Sequence, residues 1–266
     1  MIPLLESLAE VERKVCAAPG LAVFLDYDGT LASIAGRPDE ARLAPGVRPL
    51  LETLAHNAGT TVAVISGRAL EDLRSRVGVS GLIYAGNHGL EISWGEGRFV
   101  HAGAAGRKES LVRLSSEIES RCALWPGATV EFKGLTATVH FRRVPAEDRP
   151  RLCRLVRKVA AARGNGFVVR RGRCSLEIRP DVPWGKGEAV HFIRTRLSVP
   201  GSLAICMGDD RTDEDAFAAL PDGITVRVGR SEASAARYNV RDVAQVRHFL
   251  EWLCAAAAPA RVVGAS

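Results

Sequence analysis

Residues 21–31 read LAVFLDYDGTL: five apolar residues that belong in a core, followed closely by Asp26, Asp28 and Gly29. A buried strand can carry charge at its carboxyl end, where the chain opens into a crevice, but desolvated carboxylates there require a cation or a proton. Other groups must therefore converge on this strand end. Alternation along a strand puts Asp26 and Asp28 on one side, and Gly29-Thr30 lets the chain turn away. Such a carboxylate pair suits Mg²⁺, which takes one or two carboxylates together with phosphate oxygens. An ordinary polar strand end followed by an Asp-Gly turn fits the same residues.

Apolar runs bounded by Gly or acids recur at 60–66 (TTVAVIS), 81–87 (GLIYAGN), 202–208 (SLAICMG) and 223–229 (GITVRVG). Between several of them lie helical patterns, GVRPLLETLAHN, ALEDLRSRV, KGEAVHFIRTRL and TDEDAFAAL, and RDVAQVRHFLEWLCAAAA reads as a closing amphipathic helix. This alternation predicts an α/β fold, a parallel sheet with helices on both faces. The middle of the chain differs. TVEFKGLTATVHFR (129–142) alternates about Gly134 and FVVRRGRCSLEIR (167–179) about Gly172, each preceded by a helical pattern, at about 105–121 and 147–162. Period-two hairpins with a polar face are antiparallel and half-buried. The chain is thus expected to hold a parallel-sheet core at 1–103 and 181–266, with a small α+β domain inserted at 104–180.

A chain of 266 residues with 47% hydrophobic and 25% charged residues builds an ordinary globular core. The N-terminal stretch carries Glu6, Glu10 and Glu12 in an amphipathic pattern unlike a signal peptide. No uncharged apolar run reaches the roughly 18 residues of a membrane span. The reading is a cytoplasmic protein with no membrane partner. Six cysteines stand singly, with no CxxC pair and no His at ligand spacing, arguing against a zinc site or a disulfide framework. The net charge of +6 is uneven, since residues 104–180 hold 17 Lys and Arg against 7 Asp and Glu. Few aromatics accompany those basic residues and no reader motif is present, which disfavours nucleic acid.

A second acidic cluster follows another strand in SLAICMGDDRTDEDAF, with Asp209, Asp210 and Asp213 close together. Helix capping, with Thr212 as N-cap, accounts for Glu214 and Asp215 but not for acids directly after a buried strand, so Asp209 is the metal candidate. Two more strand ends fit a phosphate. VAVISGR offers Ser66 and backbone N–H groups before a helix, and WGKGEAV puts Lys186 at a helix start. Taken singly, Ser66 also reads as an N-cap and Lys186 as a surface lysine. On the inserted domain, Glu131 and Lys133 share one strand face, and Glu177 points away from a core formed by Leu176 and Ile178. Those three can hydrogen-bond sugar hydroxyls or form cross-strand ion pairs.

The set DYDGT, SGR, WGKG and GDDRTDE resembles the four motifs of the haloacid dehalogenase superfamily of phosphotransferases. The resemblance implies a Rossmann-like core with an inserted α+β cap that governs specificity. It also implies Asp26 as the nucleophile that forms an aspartyl phosphate, Asp28 as general acid and base, and Lys186 as the catalytic cation. Mg²⁺ would be held by Asp26, the Asp28 backbone carbonyl and Asp209, with Asp213 in support. GNHGLE (86–91), VEFKGLTATVHFR, LEIRPDVPWGKG and GDDRTDEDAF further resemble the signature of trehalose-6-phosphate phosphatases. That branch implies Glu131, Lys133 and Glu177 as disaccharide contacts. Ser66, Gly67, Arg68, Asn87, His88 and Gly89 would lie near the sugar phosphate or the cap. Rival readings are another capped sugar phosphatase, acting on sucrose 6-phosphate, a mannosyl phosphoglycerate or a hexose phosphate, and a sugar-phosphate-binding regulator without turnover.

Overall fold

A computed structural model describes residues 1–257 other than 163, 165, 173 and 232. Residue 173, within the second hairpin pattern of the sequence, and Ala258, the last residue of the closing helical pattern, therefore lie outside the described residues. In chain order the strands are β1 (Ile2–Pro3), β2 (Leu21–Leu25), β3 (Thr60–Ile65), β4 (Ile83–Gly86), β5 (Glu91–Trp94), β6 (Gly97–Val100), β7 (Thr129–Phe132), β8 (Ala137–His140), β9 (Phe167–Arg171), β10 (Ser175–Pro180), β11 (Leu203–Gly208), β12 (Ile224–Val228) and β13 (Tyr238–Val240). The helices are α1 (Leu8–Ala17), α2 (Val47–His56), α3 (Leu70–Val77), α4 (Ala102–Ala105), α5 (Lys108–Cys122), α6 (Arg149–Ala161), α7 (Lys186–Arg196), α8 (Arg211–Ala218) and α9 (Val243–Ala256). They form two compact units: Met1–Arg98 with Trp184–Ser266, and Phe99–Pro183.

The larger unit is built on a sheet of order β1-β13-β12-β11-β2-β3-β4-β5-β6. Every residue of β2 is buried, as a strand covered on both faces requires. Leu21, Val23 and Leu25 point to one face, where they join α1, α2, α3 and α9 in one apolar cluster. On α2, Val47, Leu51 and Leu54 are buried at helical spacing, and on α9 Val246, Phe249, Leu250 and Leu253. Ala22 and Phe24 are buried on the opposite face. The parallel sheet and its alternation with helices are as the sequence predicts. One difference lies at the edge. β4 pairs antiparallel with β5, and β5 and β6, which adjoin in the sheet, are joined by the two residues Gly95-Glu96, a hairpin whose brevity hides it among longer runs.

Chain connectivity decides where the site sits. From β2 the chain runs to β3 and β4 on one side; from β11 it runs to β12 and β13 on the other. β2 and β11 pair in parallel with Leu25 opposite Met207, so the connections diverge where their carboxyl ends adjoin. Loops leaving such a switch point in opposite directions open a crevice.

The smaller unit has a sheet of order β7-β8-β10-β9, with β7–β8, β8–β10 and β10–β9 all antiparallel. Ala137, Val139, Leu176 and Ile178 cluster with Leu111, Leu114 and Ile118 of α5 and Leu152 and Val156 of α6. Phe132, at the end of the edge strand, is 43% exposed. No helix of the described residues is long and apolar enough to cross a membrane.

Truncation should separate these environments. Leu176→Ala, in a fully buried side chain of a central strand, is expected to destabilise the protein by about 2–5 kcal/mol in urea unfolding, and Phe132→Ala by less than about 1 kcal/mol.

Candidate active site

Asp26 is the first residue beyond β2, tied to the neighbouring strand by its N–H donating to the Met207 carbonyl at 3.0 Å. Its buried carboxylate meets Lys186, the first residue of α7, whose Nζ donates to Asp26 Oδ1 at 2.6 Å and to Asp213 Oδ1 at 2.6 Å. Lys186 is 3% exposed, so it is no surface lysine. Asp213 holds its other oxygen, Oδ2, to the Asp210 N–H at 2.9 Å, closing the first turn of α8. Asp210 is the N-cap of that helix, correcting the expectation of Thr212, because the helix starts at Arg211 directly after the crevice loop.

Asp209 completes the group. Its Oδ1 is buried with no hydrogen-bond partner, and one oxygen each from Asp26, Asp209 and Asp213 lie within 4.8 Å of one another. Two glycines permit the crowding. At Gly29, φ is +89° and a Cβ would fall 2.1 Å from Asp209 Oδ2; at Gly208 it would fall 2.2 Å from Asp213 Cγ.

Three carboxylates surround one ammonium, and the electrostatics follow. Burial, reinforced by Asp213 and Asp209 and opposed by Lys186, pushes the Asp26 carboxyl well above the usual range. Burial, with Asp213 and Asp210, pushes Asp209 up to about 7. Burial pulls Lys186 down, but Asp213 and Asp26 outweigh it and its net shift is upward, so the ammonium stays charged. The cluster is short of positive charge at an orphaned hard oxygen. That donor set fits a small divalent cation of the Mg²⁺ class.

Asp28 stands apart from this cluster. The chain leaves the extended form after β2, with Leu31 and Ala32 N–H groups both returning to the Tyr27 carbonyl, so strand alternation does not hold as far as Asp28. The carboxylate that shares Lys186 with Asp26 is Asp213. Asp28 is gripped by Arg68, whose Nε and a terminal nitrogen, Nη2, each donate at 2.7 Å, one to each oxygen. Arg68 is buried and also donates to Asp72 at 2.9 Å, one turn along α3. Ser66 is buried, and since Ala69 caps α3, Ser66 is not the N-cap. Asn87 and His88 are buried at positive φ, 49° and 59°, with their N–H groups donating to Arg68 and Ser66 carbonyls. A Cβ on Gly67 would lie 2.5 Å from His88 Nε2, and the Gly89 carbonyl accepts from Trp184 Nε1 at 2.7 Å. SGR and NHG thus form one packed floor.

In the smaller unit, Glu131 and Glu177 both register with Thr138, one on each side. His140 Nε2 lies 2.7 Å from Glu131 Oε2, and Arg179 Nε lies 3.7 Å from Glu177 Oε2. Lys133 follows β7, its N–H donating to the Thr136 carbonyl at 2.9 Å. Thr138 and His140 were not among the sequence candidates, although period-two alternation in TATVHFR puts them on the face of Glu131. Asp72 was also missed; its signal is the i, i+4 spacing from Arg68.

The trehalose-phosphatase family profile matches residues 24–244. The chain is 36% identical over 248 residues to a trehalose-phosphate phosphatase of Mycobacterium leprae, which covers 87% of this chain but only 57% of the relative's length. A solved trehalose-6-phosphate phosphatase related protein superposes with a TM-score of 0.78 at 27% identity, covering 88% of this chain and 97% of that one. A haloacid dehalogenase-like hydrolase from Bacteroides thetaiotaomicron, 14% identical with a TM-score of 0.63, covers 88% of this chain and 99% of its own and shares the fold.

A carboxyl whose pKa is higher folded than unfolded weakens the fold as pH rises from the ordinary carboxylate range to its folded value, here about 7 for Asp209. In chelator above that pH, Asp209→Asn should therefore raise unfolding stability by on the order of 1 kcal/mol, the gain shrinking towards acid. Added Mg²⁺ should raise the thermal midpoint of the unsubstituted protein and leave that of the variant unmoved.

Proposed function

Because the chain belongs to the trehalose-phosphatase family, we propose that it hydrolyses trehalose 6-phosphate to trehalose and inorganic phosphate, with Asp26 as nucleophile. The observation that carries this reading is the buried Asp26 carboxylate held 2.6 Å from Lys186 at the switch-point crevice, beside the orphaned oxygen of Asp209.

In the first step an Asp26 oxygen bonds to phosphorus as the bond to the sugar oxygen breaks, and Asp28 gives that oxygen a proton. In the second, Asp28 takes a proton from water as the water oxygen bonds to phosphorus, releasing Asp26 and phosphate. Lys186 neutralises part of the charge between two anions that must approach each other and holds Asp26 in place. Ser66 and Gly67 line the floor where phosphate oxygens would rest, with Asn87, His88 and Gly89 packed behind. Mg²⁺ would be held by Asp26, Asp209 and the Asp28 backbone carbonyl, and it supplies charge neutralisation to the phosphoryl oxygens. Asp213 acts through Lys186, since each of its oxygens already accepts a hydrogen bond.

The smaller unit, Phe99–Pro183, serves in this reading as the cap that chooses the sugar, through Glu131, Lys133 and Glu177. The two glutamates flanking Thr138 offer several acceptors to a polyol, and Lys133 is a donor. The substrate is a small dissolved anion, and six free cysteines suit the reducing cytoplasm.

Phosphate release from a panel of sugar phosphates, with Mg²⁺ and with chelator, tests the reading. Trehalose 6-phosphate should lead the panel and chelator should abolish turnover; comparable rates on sucrose 6-phosphate or glucose 6-phosphate would overturn the substrate assignment. Asp26→Asn should cost about 10³-fold or more in kcat, and activity that survives it would refute the nucleophile. Glu131→Ala should cost about tenfold or more on the disaccharide while sparing a small aryl phosphate. Equal losses on both would make Glu131 structural.

A further inference from the structure

Of the groups around the crevice, Arg68 makes contacts that binding a sugar phosphate does not explain. Its Nη2 donates to Asp28 Oδ1 at 2.7 Å and to the Pro38 carbonyl at 2.8 Å, its Nε to Asp28 Oδ2 at 2.7 Å, and its Nη1 to Asp72 Oδ2 at 2.9 Å. The guanidinium also lies over the Tyr27 ring, 5.2 Å from its centroid. The Arg68 side chain is 8% exposed and that of Asp28 is 41% exposed. Arg76 continues the chain of contacts, donating to both oxygens of Asp72 at 2.8 Å and to the Ala41 carbonyl at 2.9 Å.

A planar fork with donors committed on three sides cannot turn towards a substrate without breaking the ladder. It can instead fix the direction of the Asp28 carboxylate. Each carboxylate oxygen has two lone pairs, and the fork uses one on each, leaving the others for a proton. We infer that Arg68 is the positioning residue of Asp28: it aims the carboxyl group that protonates the leaving sugar and ties that aim to the loop at Pro38. The inference rests on the proposed role of Asp28. It makes leaving-group protonation depend on Arg68, whereas attack by Asp26, held separately by Lys186, does not.

The test compares kcat/KM, which reports only the steps up to departure of the leaving group and not the later hydrolysis of the aspartyl phosphate, on trehalose 6-phosphate and on 4-nitrophenyl phosphate, whose leaving group departs without a proton. Asp28→Asn is the reference and should lose roughly 10²-fold in kcat/KM on the sugar phosphate and far less on the aryl ester. Arg68→Met should lose about tenfold or more in kcat/KM on trehalose 6-phosphate and threefold or less on the aryl ester, with the Kd for trehalose 6-phosphate, measured in the Asp26→Asn background, changed by no more than about threefold. Arg68→Lys keeps the buried charge but offers no fork; it should show the same selective loss, and aryl turnover reports that it is folded. The double variant Asp28→Asn/Arg68→Met should be no slower on trehalose 6-phosphate than Asp28→Asn alone.

Equal losses of kcat/KM on both substrates in the Arg68 variants, a rise in that Kd that accounts for the loss, or full activity in Arg68→Lys would overturn the inference while leaving Asp28 as the acid. Parallel losses of kcat/KM on the two substrates in Asp28→Asn would overturn both.

Discussion

Everything at the crevice depends on the ammonium of Lys186, buried between Asp26 and Asp213 at 2.6 Å from each. Without it three carboxylates would share a space from which water is largely excluded, and the cost of keeping them ionised would fall on the fold. With it, one negative charge is offset, two carboxylates are fixed in direction, and Asp209 is left with an unpartnered oxygen. A single hydrogen-bonded cation thus gives the three acids different surroundings: Asp26 and Asp213 share the ammonium, and Asp209 keeps a buried oxygen without a hydrogen-bond partner. The glycines at 29 and 208 are the steric condition for this arrangement, since any side chain there would displace the carboxylates they face.

Much of this was legible in the sequence, and the reason is chemical. Apolar runs that end in acids or Gly fit strands that are buried on both faces and surface at a crevice, and the ends of β2 and β11 both carry that pattern. Lys186 was legible as a residue but not as an environment. A lysine at a helix start reads the same whether solvated or 3% exposed, and only the acids brought to it from distant positions decide which. The floor formed by SGR and NHG was legible as two motifs, though not as one packed object, because the hydrogen bonds between them cross a strand pairing.

What sequence reasoning could not reach depends on chain direction after a strand ends. Asp26 and Asp28 look like a matched pair at period two, yet the turn after Tyr27 sends them to different partners, Lys186 and Arg68. Thr212 reads as a cap, but Asp210 takes that place because the helix begins two residues earlier. In each case a simple period was overruled by a backbone turn closed by short-range hydrogen bonds, from the Leu31 and Ala32 N–H groups to the Tyr27 carbonyl and from the Asp210 N–H to Asp213 Oδ2. The polar face of the smaller sheet shows the opposite case. Strict alternation on β8 and β10 carries its own register, since a slip of one residue would bury Glu177 and expose Leu176 and Ile178.

The order of strands has a consequence for how the chain is made. β2 sits at the centre of the sheet, but its partner on one side, β11, lies far along the chain, and the lysine that faces Asp26 is 160 positions away. During synthesis the N-terminal third can pair β2 with β3 and β4, while the opposite edge of β2 stays unpaired until the rest of the larger unit emerges. Through that interval an all-apolar strand edge is open to other chains. The turn that carries Asp26 and Asp28 lies directly at the end of that strand. Charged residues flanking an apolar strand, as Asp26 and Asp28 flank β2, are the kind that oppose its pairing with other chains.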